Sequence, residues 1–327
     1  MFYSKEKIFA LRCKLSIFKK LVHLFVKKQL IIIAGPTAVG KTALAIQLAK
    51  QYECPIISAD SRQFYKEMTI GTAKPTIQEL SEATHYFINN KSIHQAYNIG
   101  QYEKEVLALI EELFKTHQYL ILVGGSGLYI HAVLNGVDEF EEIPPEIRSH
   151  IIENYQLQGI TYLQNEVKRL DEFYFTTVDI NNPQRLMRAL EVCMHTGKPF
   201  SEYRTKTKKE RFFNAIPILV NTTRELLYQR INARVDAMMQ QGLMQEVTAL
   251  YPHKNLNALN TVGYKELIEV IAQKTTLEKA VELIKQNTRR YAKRQLTWFN
   301  HQGNFTSFDP TDFEKIIAYI HIISEHS

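Results

Sequence analysis

The stretch LIIIAGPTAVGKTALAIQLA, residues 30–49, is the part of the sequence most informative about the fold. It begins with five apolar residues, continues into GPTAVGKT at residues 35–42, and ends in a helical pattern. The GPTAVGKT segment matches G-x-x-x-x-G-K-[ST] in full, after a predicted strand and at the start of a predicted helix. Its glycines let the backbone curl so that several N–H groups point inward, and the helix N-terminus adds partial positive charge. The stretch therefore predicts a loop that binds a polyphosphate.

Two side chains of this loop have expected tasks. Lys41 is expected to reach the outer phosphate, and the Thr42 hydroxyl is expected to hold Mg²⁺. The motif by itself specifies a polyphosphate, not ATP. The second half of an ATPase site is missing, because the apolar run at 119–123 ends in GGSG at 124–127 and not in an acid. Those glycines leave two alternatives open, which are close approach of a ligand to the backbone and a plain tight turn.

Four short apolar runs have the composition of buried parallel strands. They cover residues 30–34, 55–59, 119–123 and 216–220. Helical patterns at 41–51, 102–115 and 224–241 alternate with them. This alternation predicts an α/β fold, a P-loop doubly wound parallel sheet.

The gap between the third and fourth runs, about 90 residues, is too long for one crossover. It contains helical patterns at about 146–156, 159–171 and 183–196. We therefore predict an inserted all-helical subdomain at 139–212. The P-loop core with its C-terminal helices then covers 29–138 and 213–327.

An acid, Asp60, follows the second apolar run in the segment ISADS. The carboxyl ends of parallel strands line the ligand crevice of such a sheet. The first two strands are expected to be neighbours, which would place Asp60 near the phosphates. Three roles remain open for it at this point: a water-mediated contact to Mg²⁺, a cap for the next helix, or a general base.

The formal net charge of +6 comes from residues 1–28, which form a basic N-terminal extension. The extension holds eight Lys or Arg and one Glu, so the rest of the chain has 32 basic and 33 acidic residues. The extension is either a basic amphipathic helix for an anionic surface or a dispensable segment. Three widely spaced cysteines without a C-x-x-C pair argue against a disulfide framework or zinc site and indicate a reduced, cytoplasmic protein.

A body that is nearly neutral can bind nucleic acid only through local basic clusters. One such cluster lies near the end of the last long helical pattern, beside Trp298. Its members are Arg289, Arg290, Lys293 and Arg294. The apolar face of the same helix is read as Leu277, Val281, Ile284 and Tyr291. The cluster suits a phosphate backbone, with a solvated helix end as the alternative.

The chain resembles the tRNA dimethylallyltransferases, also called tRNA isopentenyltransferases, in seven segments that occur in the family's order. The segments are residues 35–42, 57–75, 122–130, 181–192, 230–247, 261–266 and 288–299. The resemblance implies transfer of a five-carbon allyl group from dimethylallyl diphosphate, with Mg²⁺, to N6 of adenosine 37 in the anticodon stem-loop of tRNAs that read codons starting with U. The bacterial form is implied, because no zinc-finger pattern follows residue 300.

The resemblance also implies residue roles. The catalytic set is Asp60, Lys41, Thr42 and Ser126, where the family usually has Thr in place of Ser126. The diphosphate site is Gly35, Pro36, Thr37, Ala38, Val39, Gly40, Lys41 and Thr42, with Arg230 and Arg234 closing over it. A solvated helix face is the alternative for those two arginines. The tRNA contacts are Asp60, Ser61, Arg62, Gln63, Ser126, Arg148, Gln184, Arg185, Leu186, Met187, Arg188, Asn260, Thr261, Val262, Gly263, Tyr264, Lys265, Arg289, Arg290, Lys293 and Arg294. Tyr264 is expected to stack on a base.

Three other functions are compatible with part of this pattern. They are a P-loop kinase of a small metabolite, an adenylate isopentenyltransferase that prenylates free nucleotides, and a tRNA-binding protein with a vestigial loop. The basic helix and the 181–192 segment favour a tRNA acceptor over the first two. Intact Lys41, Thr42 and Asp60 argue against the third. We expect a monomer in the cytoplasm without stable membrane association.

Overall fold

The computed structural model describes residues 27–138, 140, 143–204, 208–302 and 304–326. Residues 1–26 of the basic extension therefore lie outside the described residues. The chain divides into two compact units. One contains residues up to Leu134 and from Arg211 onward, and the other is Asn135–Glu210.

The first unit is built on a six-stranded sheet in which each neighbouring pair of strands is parallel. The strands are β1 Gln29–Ala34, β2 Ile56–Ser58, β3 His85–Tyr86, β4 Tyr119–Gly124, β5 Asn214–Val220 and β6 Thr306–Phe308. The α/β prediction with a P-loop parallel sheet is confirmed. Short β3 and β6 were not predicted, because neither carries a run of buried apolar residues.

The order of the strands is β3-β2-β4-β1-β5-β6. β4 thus lies between β1 and β2, and the expectation that the first two strands are neighbours is wrong. The register pairs Ala34 of β1 with Gly124 of β4, and Ser58 of β2 with Val123 of β4. The carboxyl ends of all three strands still reach one edge, which brings the segments after them together.

Helices connect and cover these strands. In chain order they are α1 Lys41–Gln51, α2 Ile77–Glu82, α3 Ile99–Leu113, α4 Gly127–Asn135, α5 Pro145–Gln158, α6 Ile160–Leu170, α7 Glu172–Thr177, α8 Pro183–Thr196, α9 Phe200–Tyr203, α10 Arg224–Gln240, α11 Leu243–Leu250, α12 Tyr264–Ile271, α13 Leu277–Gln302 and α14 Phe313–His326. Short 3₁₀ turns lie at Tyr251–His253 and Asn257–Leu259.

The sheet buries both faces, as expected for a doubly wound fold. Alternate residues of β1 contribute to opposite sides: Ile31 lies in the cluster with α1 and α14, and Ile32 in the cluster with α3 and Phe299 of α13. A third cluster joins α10 to α13 and includes Leu267. α13 therefore contributes to all three clusters and fixes its polar side chains relative to the sheet edge.

The second unit consists of α5 to α9 around its own apolar core. Leu186 and Met187 of α8 are buried in that core, so their predicted contacts to tRNA are wrong for the side chains. Gln184, Arg185 and Arg188 lie on the exposed side of the same helix. Among the helices that the structure describes, none is long and apolar enough to cross a membrane.

Candidate active site

The phosphate loop connects β1 to α1 and has a backbone that only glycine fits at two positions. Gly35 has φ +153°, and a Cβ there would lie 2.4 Å from the carbonyl oxygen of Val220. Gly40 has φ +110° immediately before α1 begins. Lys41, in the first turn of α1, donates a 2.6 Å hydrogen bond to the Pro36 carbonyl. The loop thus curls around its own lysine, as the motif predicts.

Gln295 of α13 braces the phosphate loop from behind. Its Oε1 accepts the Thr37 N–H at 3.0 Å, and its Nε2 donates to the Gly125 carbonyl at 2.8 Å. The side chain is buried, with 6% exposed. One amide therefore joins the phosphate loop to the turn after β4. The sequence does not predict this bracing role, although Gln295 lies directly after the basic cluster of α13.

The glycines after β4 are explained by close packing within the protein. A Cβ on Gly124 would lie 2.5 Å from the Ala59 carbonyl oxygen, and one on Gly125 would lie 2.3 Å from the Gln295 amide nitrogen. A Cβ on Gly127 would lie 2.3 Å from the Trp298 indole. The glycines thus permit a close approach to Ala59, which follows β2, and to α13, and do not serve only a tight turn.

Replacing Gln295 with leucine, which is of similar size, tests the brace. Leucine leaves the Thr37 N–H and the Gly125 carbonyl without their partner, and each unsatisfied buried group costs about 1–3 kcal/mol. We expect unfolding stability to fall by roughly 2–4 kcal/mol and the KM for the phosphate-bearing substrate to rise about tenfold. Urea unfolding and steady-state kinetics measure both. Exposed Gln286 of α13, changed to leucine, is the control, and equal effects of the two variants would contradict the assignment.

The two arginines of α10 differ in their surroundings. Arg230 donates to the Val39 carbonyl at 3.1 Å, so it is tied to the phosphate loop. The charge of Arg234 acts on Lys41 and helps to lower its pKa. Both line a cleft of about 450 Å³. The other lining residues are Ala38, Val39, Gly40, Ala43, Leu44, Gln47, Ala233, Pro310 and Thr311. The hydrogen bond of Arg230 to Val39 and the effect of Arg234 on Lys41 favour a role for both arginines at the phosphate loop. They argue against the alternative, a solvated helix face.

Lys41 and Asp60 form the charged centre of the site. Burial lowers the pKa of Lys41 to about 7, partly offset by the nearby Asp60 carboxylate. Burial raises the pKa of Asp60, opposed by the Arg62 N–H and by Lys41. The Arg62 N–H donates to Asp60 Oδ1 at 2.9 Å. Residues 61–64 form a turn and not a helix, so Asp60 does not cap a helix there.

A hydroxyl cluster borders Asp60. The Ser61 N–H donates to Ser126 Oγ at 3.2 Å, and the two serine hydroxyls lie 3.4 Å apart. The Tyr291 side chain is hydrogen-bonded to Ser126, and burial together with Asp60 raises the pKa of Tyr291 to about 12. Taken as a whole residue, Tyr291 is 36% exposed. The sequence pattern predicts Tyr291 only as part of the apolar face of α13 and gives no sign of its position beside Asp60.

The family model described as IPP transferase matches residues 63–302, well over half of the chain. A tRNA dimethylallyltransferase from Flavobacterium johnsoniae is 52% identical over 300 residues, which cover 90% of this chain and 97% of that protein. The chain belongs to the IPP transferase family. The bacterial type predicted from the sequence agrees with the bacterial source of this relative.

Solved structures of IPP transferases show the same fold. The tRNA isopentenylpyrophosphate transferase of Bacillus halodurans superimposes with a TM-score of 0.67 at 33% identity, over 92% of this chain and 100% of that chain. A eukaryotic dimethylallyltransferase, described as acting on tRNA, superimposes with a TM-score of 0.72 at 29% identity. It covers 88% of this chain and 75% of the eukaryotic chain.

The segment at 260–265 has no aromatic side chain exposed for stacking on a base. Tyr264 has no exposed surface, and its hydroxyl donates to Glu246 Oε1 at 2.6 Å. The prediction that Tyr264 stacks on a base is therefore wrong. Within the segment, Asn260 and Lys265 are exposed, Thr261 and Val262 are half-buried, and Gly263 is buried.

The predicted contact residue Gln63 is occupied within the protein. Its Nε2 donates to the carbonyls of Thr72 and Ala73 at 3.3 and 3.2 Å, and its Oε1 accepts from the Ser58 hydroxyl at 3.3 Å. Both amide hydrogens are thus engaged. Gln63 lies beside Asp60 but supports the loop at residues 72–73 rather than pointing a free amide outward.

The basic cluster of α13 separates into two sides. Arg290, Lys293 and Arg294 are exposed. Arg289 instead donates to Asn232 Oδ1 of α10 at 2.6 Å and lies over the Tyr228 ring, 5.9 Å from its centroid. Three of the four predicted residues therefore form an exposed basic surface.

Within the second unit, a buried carboxylate forms ion pairs with two arginines. Glu191, 3% exposed, pairs with Arg148 at 2.5 Å and Arg188 at 3.1 Å. Its charge is thereby shared between two exposed guanidinium groups. Both arginines keep donors that face solvent, which suits contact with an anionic ligand.

Proposed function

We propose that this chain transfers a dimethylallyl group from dimethylallyl diphosphate to N6 of adenosine 37 in tRNAs that read codons starting with U, and releases diphosphate. The curated relatives carry the name tRNA dimethylallyltransferase. One observation carries the proposal beyond the family name. The lysine of a phosphate loop and the acid after β2 interact electrostatically at one sheet edge.

In the proposed reaction, the phosphate loop binds the diphosphate that leaves. As the C–O bond of the donor breaks, negative charge grows on the diphosphate. Lys41 and the N-terminus of α1 would stabilise that charge. Arg230 and Arg234 border the same loop and add positive charge on its outer side.

Magnesium is compatible with the side chains at the loop. The described residues include no group of three or more His, Cys, Asp or Glu that would form a protein cage. Mg²⁺ usually keeps several waters and binds through one or two protein ligands plus substrate phosphates. The Thr42 hydroxyl, in the first turn of α1, would hold the ion, which supplies further charge neutralisation on the diphosphate.

Asp60 has the proposed role of general base. The exocyclic N6 amine of adenine is a poor nucleophile, because its lone pair is delocalised into the ring. A carboxylate that accepts its N–H orients the amine and removes the proton as the new C–N bond forms. The adenine has to leave the anticodon stack to reach it. Ser126 and Tyr291, which interact with each other beside Asp60, would contact the extruded base.

Exposed polar side chains in each unit are proposed to grip the tRNA. On the first unit these are Asn260, Lys265, Arg290, Lys293 and Arg294, with half-buried Arg62. On the helical insertion, predicted at 139–212, they are Arg148, Gln184, Arg185 and Arg188. Guanidinium and ammonium groups would bind backbone phosphates, and the gripped loop would present its base to Asp60. A monomer in the cytoplasm, where tRNA is found, is proposed as the working form.

An acceptor competition tests the proposed function. The protein is incubated with Mg²⁺, radiolabelled dimethylallyl diphosphate and either tRNA, AMP or ATP. We expect label in tRNA only, and none in tRNA whose position 37 is guanosine. Label in AMP would instead support an adenylate isopentenyltransferase. Phosphoryl transfer from ATP to a small acceptor, without prenyl transfer, would support a P-loop kinase.

A further inference from the structure

A single carboxylate holds the loop at residues 69–71. Glu246 of α11 accepts the N–H groups of Thr69 at 3.0 Å, Ile70 at 2.8 Å and Gly71 at 3.1 Å. The Tyr264 hydroxyl donates a fourth bond to the same carboxylate at 2.6 Å. Hydrogen bonds to a charged acceptor are about twice as strong as neutral ones, so this carboxylate fixes three successive residues of the loop.

The loop depends on this support because its own backbone is constrained. Ala73 has φ +49°, a left-handed conformation that is unfavourable for alanine. Gly71 lies on the Tyr264 ring so closely that a Cβ would be 2.4 Å from a ring carbon. Tyr264 thus serves as a floor for the loop and as a donor to Glu246. α11 and α12 together hold the loop in place.

A chain of hydrogen bonds leads from this loop to Asp60. The carbonyls of Thr72 and Ala73 accept both hydrogens of the Gln63 amide. The Ser58 hydroxyl donates to Gln63 Oε1 at 3.3 Å, and Ser58 Oγ accepts the Asp60 N–H at 3.3 Å. The backbone at Asp60 is therefore connected, bond by bond, to a carboxylate on α11.

We propose that Glu246, supported by Tyr264, is a positioning residue that sets the orientation of Asp60 through the loop at residues 69–73, Gln63 and Ser58. The inference rests on the proposed function, because it assumes that the orientation of Asp60 limits turnover. It assigns the 261–266 segment, at Tyr264, a supporting role in place of base stacking. Neither Glu246 nor Tyr264 touches the reacting atoms.

Glu246→Gln tests the proposal. The neutral amide keeps the size of the side chain but replaces one acceptor oxygen with an NH₂ group that faces backbone N–H donors. Misplacement of a reacting group by about 1 Å costs up to about 100-fold in rate. We expect kcat for tRNA prenylation to fall about 10- to 100-fold, with the KM for dimethylallyl diphosphate within about twofold of the parent. Glu269→Gln on neighbouring α12 is the matched control and should leave kcat unchanged.

A double-mutant cycle with Asp60→Asn separates positioning from general weakening of the fold. If Glu246 acts through Asp60, Glu246→Gln should change the residual rate of the Asp60→Asn protein less than twofold. The same loss in both backgrounds would overturn the proposal. Tyr264→Phe keeps the ring and removes only the hydroxyl donor. It should lower kcat less than Glu246→Gln does, and this loss should also disappear in the Asp60→Asn background. The Tyr264→Phe variant serves as the test if the Glu246→Gln protein does not fold.

The Asp60→Asn variant alone tests the proposed function, and the double variant tests the role of Glu246. Normal turnover of Asp60→Asn alone would overturn the role of Asp60 as base, and with it this inference. A large loss in Asp60→Asn, together with additive loss in the double variant, would leave the function intact and reject only the positioning role of Glu246.

Discussion

Replacing Asp60 with alanine is expected to remove most prenyl transfer while the protein still binds tRNA. A general base contributes typically 10²- to 10⁴-fold to a rate, so we expect kcat to fall by about that factor. Binding should persist because the exposed basic surfaces that would grip the RNA do not include Asp60. Single-turnover prenylation and a filter-binding assay measure the two quantities. Asp312→Asn, at an exposed ion pair with Lys315, is the control.

The pH dependence of turnover gives Asp60 a second, independent test. A base acts when it is deprotonated, so turnover should fall as the pH drops through the pKa of Asp60. Burial raises that pKa above the ordinary aspartate range, which moves the acid limb of the kcat profile to higher pH. Asp60→Ala should lack this limb. A wild-type limb at the ordinary aspartate pKa, or one that persists in the variant, would contradict the assignment.

The sequence was sufficient for the parts of the site that depend on neighbours along the chain. GPTAVGKT defines a loop, its lysine and its helix in eight consecutive residues, and the structure gives Gly35 and Gly40 the backbone conformations that the motif requires. Asp60 was found because it follows a buried strand. Its closeness to Lys41 was expected for the wrong reason, since β4 lies between β1 and β2. Strand order depends on pairing between distant segments, which no local pattern specifies.

The residues that were wrongly predicted to contact tRNA show a second reason why the sequence alone was not sufficient. Leu186, Met187 and Tyr264 were predicted to contact tRNA because they belong to segments that resemble the family's motifs. Such a segment includes both faces of a helix. The helical period alone separates the buried Leu186 and Met187 from the exposed Arg185 and Arg188, so the sequence held that information. Burial of Tyr264 under Gly71 depends on chain segments almost 200 residues apart and could not be read locally.

Lys41→Met is also expected to have a large effect on turnover, because it removes the cation of the phosphate loop. The methionine keeps an unbranched side chain of similar length. Loss of one preorganised donor to a developing negative charge costs about 10²- to 10³-fold in kcat. We expect a loss of that order in prenyl transfer, measured with saturating donor. Lys50→Met, at an exposed ion pair on the same helix, should have no effect. Equal rates for the two variants would show that the loop lysine does not act on the diphosphate.

The pKa of Lys41 makes the same idea testable by binding alone. Burial lowers this pKa to about 7, so at pH 8 the free protein carries a largely neutral Lys41. A bound diphosphate favours the ammonium form and raises the pKa, so binding at pH 8 should take up close to one proton. At pH 6 the lysine is already charged, and uptake through it should be near zero. Calorimetry in buffers of different ionisation enthalpy measures the difference, and the extra uptake at pH 8 should be absent in Lys41→Met. If the variant keeps it, the proton enters elsewhere and the pKa of Lys41 does not rise when the diphosphate binds.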